Sequence, residues 1–367
     1  MNILFLDQFS EPGGAQLCLK DLMPEILRRG WNPRLMLPGE GDLVVWARKA
    51  GIPTDPLPLG SYSSGRKTAS DVLRFALDAP RMFSAVRDAV KRHRVDMVYV
   101  NGPRVLPAVA RLACPVVFHT HSYIGRRMEQ GLIHWTLRNA ASTVVAASDY
   151  VAGPYRRVLN PNRVQTIYNG VGDLHGGERH FSHRPARIGI IGRIAPEKGH
   201  ADFLRAARHM KDRGVRPEFH IYGGSLFGDA RFEMEMRAMA EGLPVTFHGW
   251  TDDAANALKE VEILAVPSGP DEAATRVILE AFSAGTPVVA YRAGGIPEIV
   301  EDKRTGILTA SPDASALAQS VEGLTNDSAL MERLSAAGRR EWQRRFRIER
   351  FRAEVCDLIE KHARSWG

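Results

Sequence analysis

Residues 267–298 read PSGPDEAATRVILEAFSAGTPVVAYRAGGIPE, and the order of elements this stretch imposes decides the fold. Just before it, the run Val261-Glu262-Ile263-Leu264-Ala265-Val266 has the length and apolar character of a short buried strand. Pro267-Ser268-Gly269-Pro270 breaks the backbone, and a helix carrying residues 277–284 follows. Gly285-Thr286-Pro287 ends that helix, Val288-Val289-Ala290-Tyr291 forms another strand, and Gly294-Gly295-Ile296-Pro297 opens a loop into a second helix. Strand, loop and helix alternating in this way predict an open parallel sheet. Ligands of such sheets bind at the carboxyl ends of the strands, where unpaired N–H groups at a helix start favour an anion, so a phosphate-bearing guest is expected. Glu272 and Glu280 stand eight positions apart, two turns along roughly one side of the helix. Glu272 is either a ligand at the mouth of the site or an acid favoured there by the helix dipole. Glu280, among Ile278, Leu279, Ala281 and Phe282, is poorly placed for a purely solvated role.

The pattern repeats on both sides. Residues 2–7, NILFLD, predict a buried strand, and Gly13-Gly14 leads into a helix through Leu17, Leu19, Leu22 and Leu27. Those glycines serve a tight turn or let a ligand approach the backbone. Residues 80–94 predict an amphipathic helix, and residues 97–100 and 115–118 predict strands. His119 and His121 alternate after the last of these without a third metal ligand nearby. Between residues 59 and 67 a small-residue loop carries Ser64, Arg66 and Lys67, suited to an anionic acceptor or to a surface connector. Residues 172–186 predict a polar linker, after which RIGIIG at 187–192 restarts the pattern. Arg193 and Lys198 flank a proline-marked loop and could converge on one diphosphate, or pair with Glu197 at the surface. Residues 219–224 predict a strand ending in Gly223-Gly224, beside which a nucleoside can lie flat. Asp252-Asp253 predicts a helix cap rather than a metal site, and residues 339–366 one long basic terminal helix.

The 367 residues are enough for about two domains, each with its own core. No apolar run approaches the ~20 residues that span a bilayer, and the first residues lack the pattern of a signal peptide, so a cytoplasmic protein is expected. Cys18, Cys114 and Cys356 are widely spaced and predict buried thiols, not a disulfide framework or zinc site. The net charge of +7 is uneven: residues 1–175 carry 22 Lys+Arg against 14 Asp+Glu, and the remainder 27 against 28. This asymmetry suggests an anionic partner, a membrane surface or a pyrophosphate-bearing acceptor rather than nucleic acid; a merely solvated arginine-rich surface is the alternative.

Glu272-x7-Glu280, followed by Ala281-x-x-Ala284-Gly285-x-Pro287-Val288-Val289 and Gly294-Gly295-x-Pro297-Glu298, resembles the donor-site signature of the retaining nucleotide-sugar glycosyltransferases of family 4, the glycosyl transferases group 1. Gly192-Arg193-x-x-Pro196-Glu197-Lys198-Gly199 is similar to that family's diphosphate-binding loop. The resemblance implies the α/β GT-B fold, two doubly wound Rossmann-like domains facing a cleft. Residues 1–172 would form the acceptor side, with a terminal helix at about 347–367 packing back on it, and residues 187–346 the nucleotide-sugar side. It implies that Glu272 holds hydroxyls of the donor sugar, that Glu280 accepts from the ribose, and that Arg193, Lys198 and the amides near Thr275 meet the departing diphosphate without a metal. Gly13, Gly14, Gly192, Gly223, Ala274, Arg276 and Val277 would line the donor, His121 would reach its sugar, and Ser64, Arg66 and Lys67 would face the acceptor.

The implied activity is metal-independent, retaining transfer of a sugar from a nucleoside diphosphate, a substrate rather than a cofactor, in polysaccharide or glycolipid biosynthesis. The implied acceptor is a sugar, a lipid-linked or another hydroxyl, with peripheral contact at the inner face of an anionic membrane and no nucleic acid. A GT-B sugar-nucleotide epimerase and a non-catalytic sugar-nucleotide binder are the alternatives. A nicotinamide-dependent oxidoreductase would need a G-x-G-x-x-G after a first strand, which neither half has. The sequence departs from the family where Ala273-Ala274-Thr275 replaces the usual Gly-Phe-Gly, which changes the shape around the sugar.

Overall fold

Seven parallel strands make the first sheet: β1 (Asn2–Asp7), β2 (Asn32–Leu37), β3 (Thr54–Pro56), β4 (Met97–Asn101), β5 (Val116–Thr120), β6 (Ser142–Ala146) and β7 (Val164–Thr166). The computed structural model describes residues 1–11, 13–60, 69–177, 179, 181, 185–225, 230–251, 253–273 and 275–366. The chain divides into two units, Met1–Asn169 with Ile348–Gly367, and Gly170–Arg347.

In the first unit the strand order is β3-β2-β1-β4-β5-β6-β7. Strands covered on both faces read as continuous apolar runs, and Ile3, Leu4, Phe5 and Leu6 of β1 are all buried. The connections run one way from β1 to β3 and the other way from β4 to β7, so the switch point lies between β1 and β4, where Asp7 is in register with Asn101. One side of the sheet is covered by the helix Gly14–Arg28, whose Leu19, Leu22 and Ile26 meet Phe351, Val355 and Ile359 of the terminal helix Ile348–Arg364 in a single core.

The second unit repeats the design with β8 (Arg187–Ile191), β9 (Glu218–Tyr222), β10 (Val245–Gly249), β11 (Ile263–Val266), β12 (Val288–Ala290) and β13 (Ile307–Leu308). All pairs are parallel, in the order β10-β9-β8-β11-β12-β13, which puts this switch point between β8 and β11. Phe203, Phe219, Ile188, Ile263 and Leu317 lie in its core.

Several elements differ from their expected form. The amphipathic helix begins at Ala69 rather than near Pro80, and Pro80 is accommodated inside it. The single terminal helix expected from residue 339 is three pieces: Ser328–Glu341, a π-turn at Trp342–Phe346, and Ile348–Arg364. Arg347, with φ −66° and ψ 143°, is extended and bridges Val171, and Trp342 Nε1 donates to the Val171 carbonyl, so tertiary bonds break the helix where the sequence carries no glycine or proline. The described part of the expected linker is bound to the second unit: Arg339 forks onto Asp173 at 2.7 Å, and Arg179 donates to the Leu258 carbonyl at 2.7 Å. All three cysteines are buried thiols.

Candidate active site

In the second unit the loops leaving β8, β11 and β12 meet at the switch point. After β8 the chain turns through Gly192, Arg193 and the short turn Pro196–Lys198 to Gly199, which caps the helix His200–Asp212. Gly199 has φ +78°, and a Cβ there would lie 1.9 Å from the Pro267 carbonyl oxygen, so the first loop rests directly on the backbone of the second. Gly269 N–H donates to the Glu197 carbonyl at 2.9 Å, and Gly295 N–H to the Glu272 carbonyl at 3.0 Å. These contacts fix Glu272 and Lys198 on one edge.

Lys198 Nζ donates to Glu272 Oε2 at 2.7 Å, with the glutamate side chain only 12 % exposed. Thr275 precedes the helix Arg276–Ala284 and makes no side-chain cap, and no acidic residue occupies its first turn. The partial positive charge of that helix start is therefore not offset by an acid in its first turn, which suits it to an incoming phosphate. Glu280 lies on this helix and accepts from Arg276 Nε at 2.8 Å, so a carboxylate expected to face the ribose is engaged by a neighbour at i−4. Arg193 bonds Glu197, the surface pairing that the sequence left open. Three site cations thus each hold a nearby carboxylate. Val277 is in the first turn of the helix, and Gly223 follows β9 with its N–H donating to the Gly249 carbonyl at 2.7 Å. Ala274, Ser64, Arg66 and Lys67 lie outside the described residues. Asp253 caps the helix Ala254–Glu260 by accepting the Asn256 N–H at 2.9 Å, and Asp252 lies outside the described residues. Among the described residues no group of three His, Cys, Asp or Glu side chains could hold a metal ion.

At the first unit's switch point the structure assembles a network that the sequence did not reveal. Asn101 Nδ2 donates to Asp7 Oδ2 at 2.5 Å, and Gln16 Nε2 donates to Asp7 Oδ1 at 2.7 Å. With its NH2 group committed to Asp7, Asn101 presents Oδ1 to His121, whose Nε2 therefore carries the proton and donates at 2.8 Å. Burial pushes the His121 pKa down to about 3, so the ring is neutral, and its buried Nδ1 has no hydrogen-bond partner among the described residues. His119 is buried on β5 and bonds the Tyr99 hydroxyl at 2.5 Å. Gly13 caps the helix Gly14–Arg28 in extended conformation, φ −142°, next to Gln16. The available signal was an acid ending an apolar first strand and an asparagine ending the fourth, both at the carboxyl edge where the connections diverge.

Burial raises the Asp7 carboxyl to about 7, against the bonds from Asn101, Gln16 and the Phe9 amide that pull it down. In the unfolded chain this group ionises near pH 4, so between about pH 4 and pH 7 the folded state holds the extra proton and stability falls as pH rises through that window. Asp7→Asn is expected to flatten the decline. Thermal midpoints of both proteins across the window measure it, and parallel curves would remove Asp7 as its source.

The comparisons agree with this architecture. Residues 12–173 match the family model for Glycosyltransferase Family 4, and residues 185–327 the model for Glycosyl transferases group 1. Together these matches span most of the chain, which belongs to the family 4 glycosyltransferases of GT-B fold. A phosphatidyl-myo-inositol mannosyltransferase of Mycobacterium leprae is 26 % identical over 352 residues, covering 90 % of this chain and 88 % of that protein. The sulfoquinovosyl transferase SQD2 of Arabidopsis thaliana is 27 % identical over 303 residues, 72 % of this chain and 56 % of that protein. The crystal structure of Anabaena HepE in complex with UDP-glucose superimposes with a TM-score of 0.82 at 22 % identity, over 98 % of this chain and 100 % of that one.

Proposed function

We propose that the chain transfers a sugar from a nucleoside diphosphate to an acceptor hydroxyl with retention of anomeric configuration, and that the leaving group is met by protein cations and amides rather than by a metal. The observation that carries this reading is the convergence of Lys198, Glu272 and the start of the helix Arg276–Ala284 on the edge between β8 and β11. Departure of a nucleoside diphosphate builds negative charge on its terminal phosphate. A lysine and a set of oriented N–H groups held in place before the reaction stabilise that charge without reorganising. Glu272 then exchanges its hold on Lys198 for the hydroxyls of the donor sugar, and Glu280 takes the ribose. The similarity to a phosphatidyl-myo-inositol mannosyltransferase supports an acceptor in glycoconjugate synthesis.

The two glutamates separate in one experiment. Glu272→Gln is expected to spare binding of the free nucleoside diphosphate, which has no sugar, while transfer falls by the equivalent of about 1–3 kcal/mol. Glu280→Gln is expected to weaken free diphosphate and intact donor alike. Calorimetry with UDP and UDP-glucose, alongside transfer rates, reads both. Equal weakening of both ligands by Glu272→Gln would overturn its assignment to the sugar.

A further inference from the structure

The helix Arg127–Arg138 of the first unit is apolar on two faces. Ile133, Thr136 and Leu137 are buried against the unit. On the opposite side Met128, Leu132 and Trp135 are 86 %, 40 % and 48 % exposed. Their spacing, i, i+4 and i+7, puts the three on one stripe less than a quarter-turn wide. Other exposed large apolar side chains among the described residues, Leu27, Val45, Leu77, Met234, Trp250 and Trp366, are scattered, no two of them in one element. None of the three lies in the unit's core, although Leu132 and Trp135 are more than half covered.

The charges beside the stripe select its occupant. Arg127 and Arg138 flank it on the same side, both exposed, and neither has an ion pair among the described residues. Arg111, also exposed, is tied by its N–H to the Asn139 carbonyl at 2.9 Å, beside the end of the helix. The one acid on the helix, Glu129, lies 3.7 Å from Arg126 and is offset by it. A second copy meeting this face about a two-fold axis would set arginine against arginine, and one such stripe falls far short of the roughly 800 Å² per partner of a stable protein interface. Exposed apolar side chains with a tryptophan, edged by arginines, match the boundary between lipid headgroups and acyl chains.

We infer that the outer face of the helix Arg127–Arg138 docks the protein on an anionic lipid surface, with Met128, Leu132 and Trp135 entering the headgroup boundary and Arg127 and Arg138 at the level of the phosphates. The inference gives a place to the excess positive charge of the first half of the chain, and it stands whether or not the donor-site reading holds.

The full chain is tested by flotation with vesicles of phosphatidylcholine alone and of phosphatidylcholine with phosphatidylglycerol. Binding is expected only to the mixed vesicles and is expected to weaken with added salt. Met128→Ser/Leu132→Ser/Trp135→Ser and, separately, Arg127→Gln/Arg138→Gln should each lower the affinity on the order of tenfold or more. Unchanged thermal midpoints and unchanged UDP affinity in both variants show that fold and donor site are intact, so failure of donor binding and failure of membrane docking are read independently. Three results would overturn the inference: equal binding to both vesicle types, both variants floating like the original, or an oligomer in solution that the triple variant dissolves, which would make the face an interface between copies.

Discussion

Lys198→Ala is expected to lower the turnover number about 10²–10³-fold at saturating donor, the effect of removing one preorganised group from a developing oxyanion. Two losses combine in this substitution. The cation that would meet the terminal phosphate disappears, and Glu272, its partner at 2.7 Å, is left as a largely buried carboxylate with that bond missing. Because the two side chains act as a unit, adding Glu272→Gln to Lys198→Ala should cost less than Glu272→Gln does alone. Lys198→Arg should recover only part of the rate, since it keeps the charge but replaces a compact ammonium by a planar fork. Steady-state rates for the four proteins complete the cycle. Turnover of Lys198→Ala within about fivefold of the original protein, a barrier change near 1 kcal/mol, would remove Lys198 from the chemistry.

Gly199→Ala is expected to destabilise the second unit by about 3 kcal/mol or more, although it removes no contact. A side chain at this position takes on a left-handed backbone conformation, which costs on the order of 1–3 kcal/mol, and a Cβ 1.9 Å from the Pro267 carbonyl forces two loops apart. For a unit of this size the midpoint should drop by roughly 6–12 °C. Gly214→Ala is the matched control, because Gly214 has φ +81° and nothing within 4 Å of an added Cβ, so only the backbone term applies. Calorimetric scans compare the two. Similar midpoints for both variants would show that the loop contact at Gly199 carries no strain.

Much of the fold was legible because parallel strands buried on both faces announce themselves as short apolar runs. NILFLD, RIGIIG and the run before Pro267 became β1, β8 and β11, the strands on which the two switch points depend. Helix ends were less legible. Pro80 reads as a helix start but lies inside the helix Ala69–Arg92, and the break at Arg347 depends on Val171, far away in sequence. In the donor site the residue types were legible and their pairing was not. Arg276 and Glu280 sit four apart, the spacing of a helical ion pair, yet only the structure shows that they choose each other. The Asp7, Gln16, Asn101 and His121 network escaped because its members come from four separate segments, each unremarkable alone.

The docking of Phe351, Val355 and Ile359 onto the helix Gly14–Arg28 bears on the order in which the protein can be completed during synthesis. The ribosome makes the first unit's strands earliest, but the last helix that seals their core is made only after residues 170–347, the whole second unit, have emerged. At about 5–20 residues per second the first unit waits many seconds with apolar surface on that helix uncovered. The second unit, continuous in sequence, meets no such delay. The unit that begins the chain is therefore the later to finish, and a nascent chain stalled before residue 348 presents a folded second unit joined to an unsealed first one.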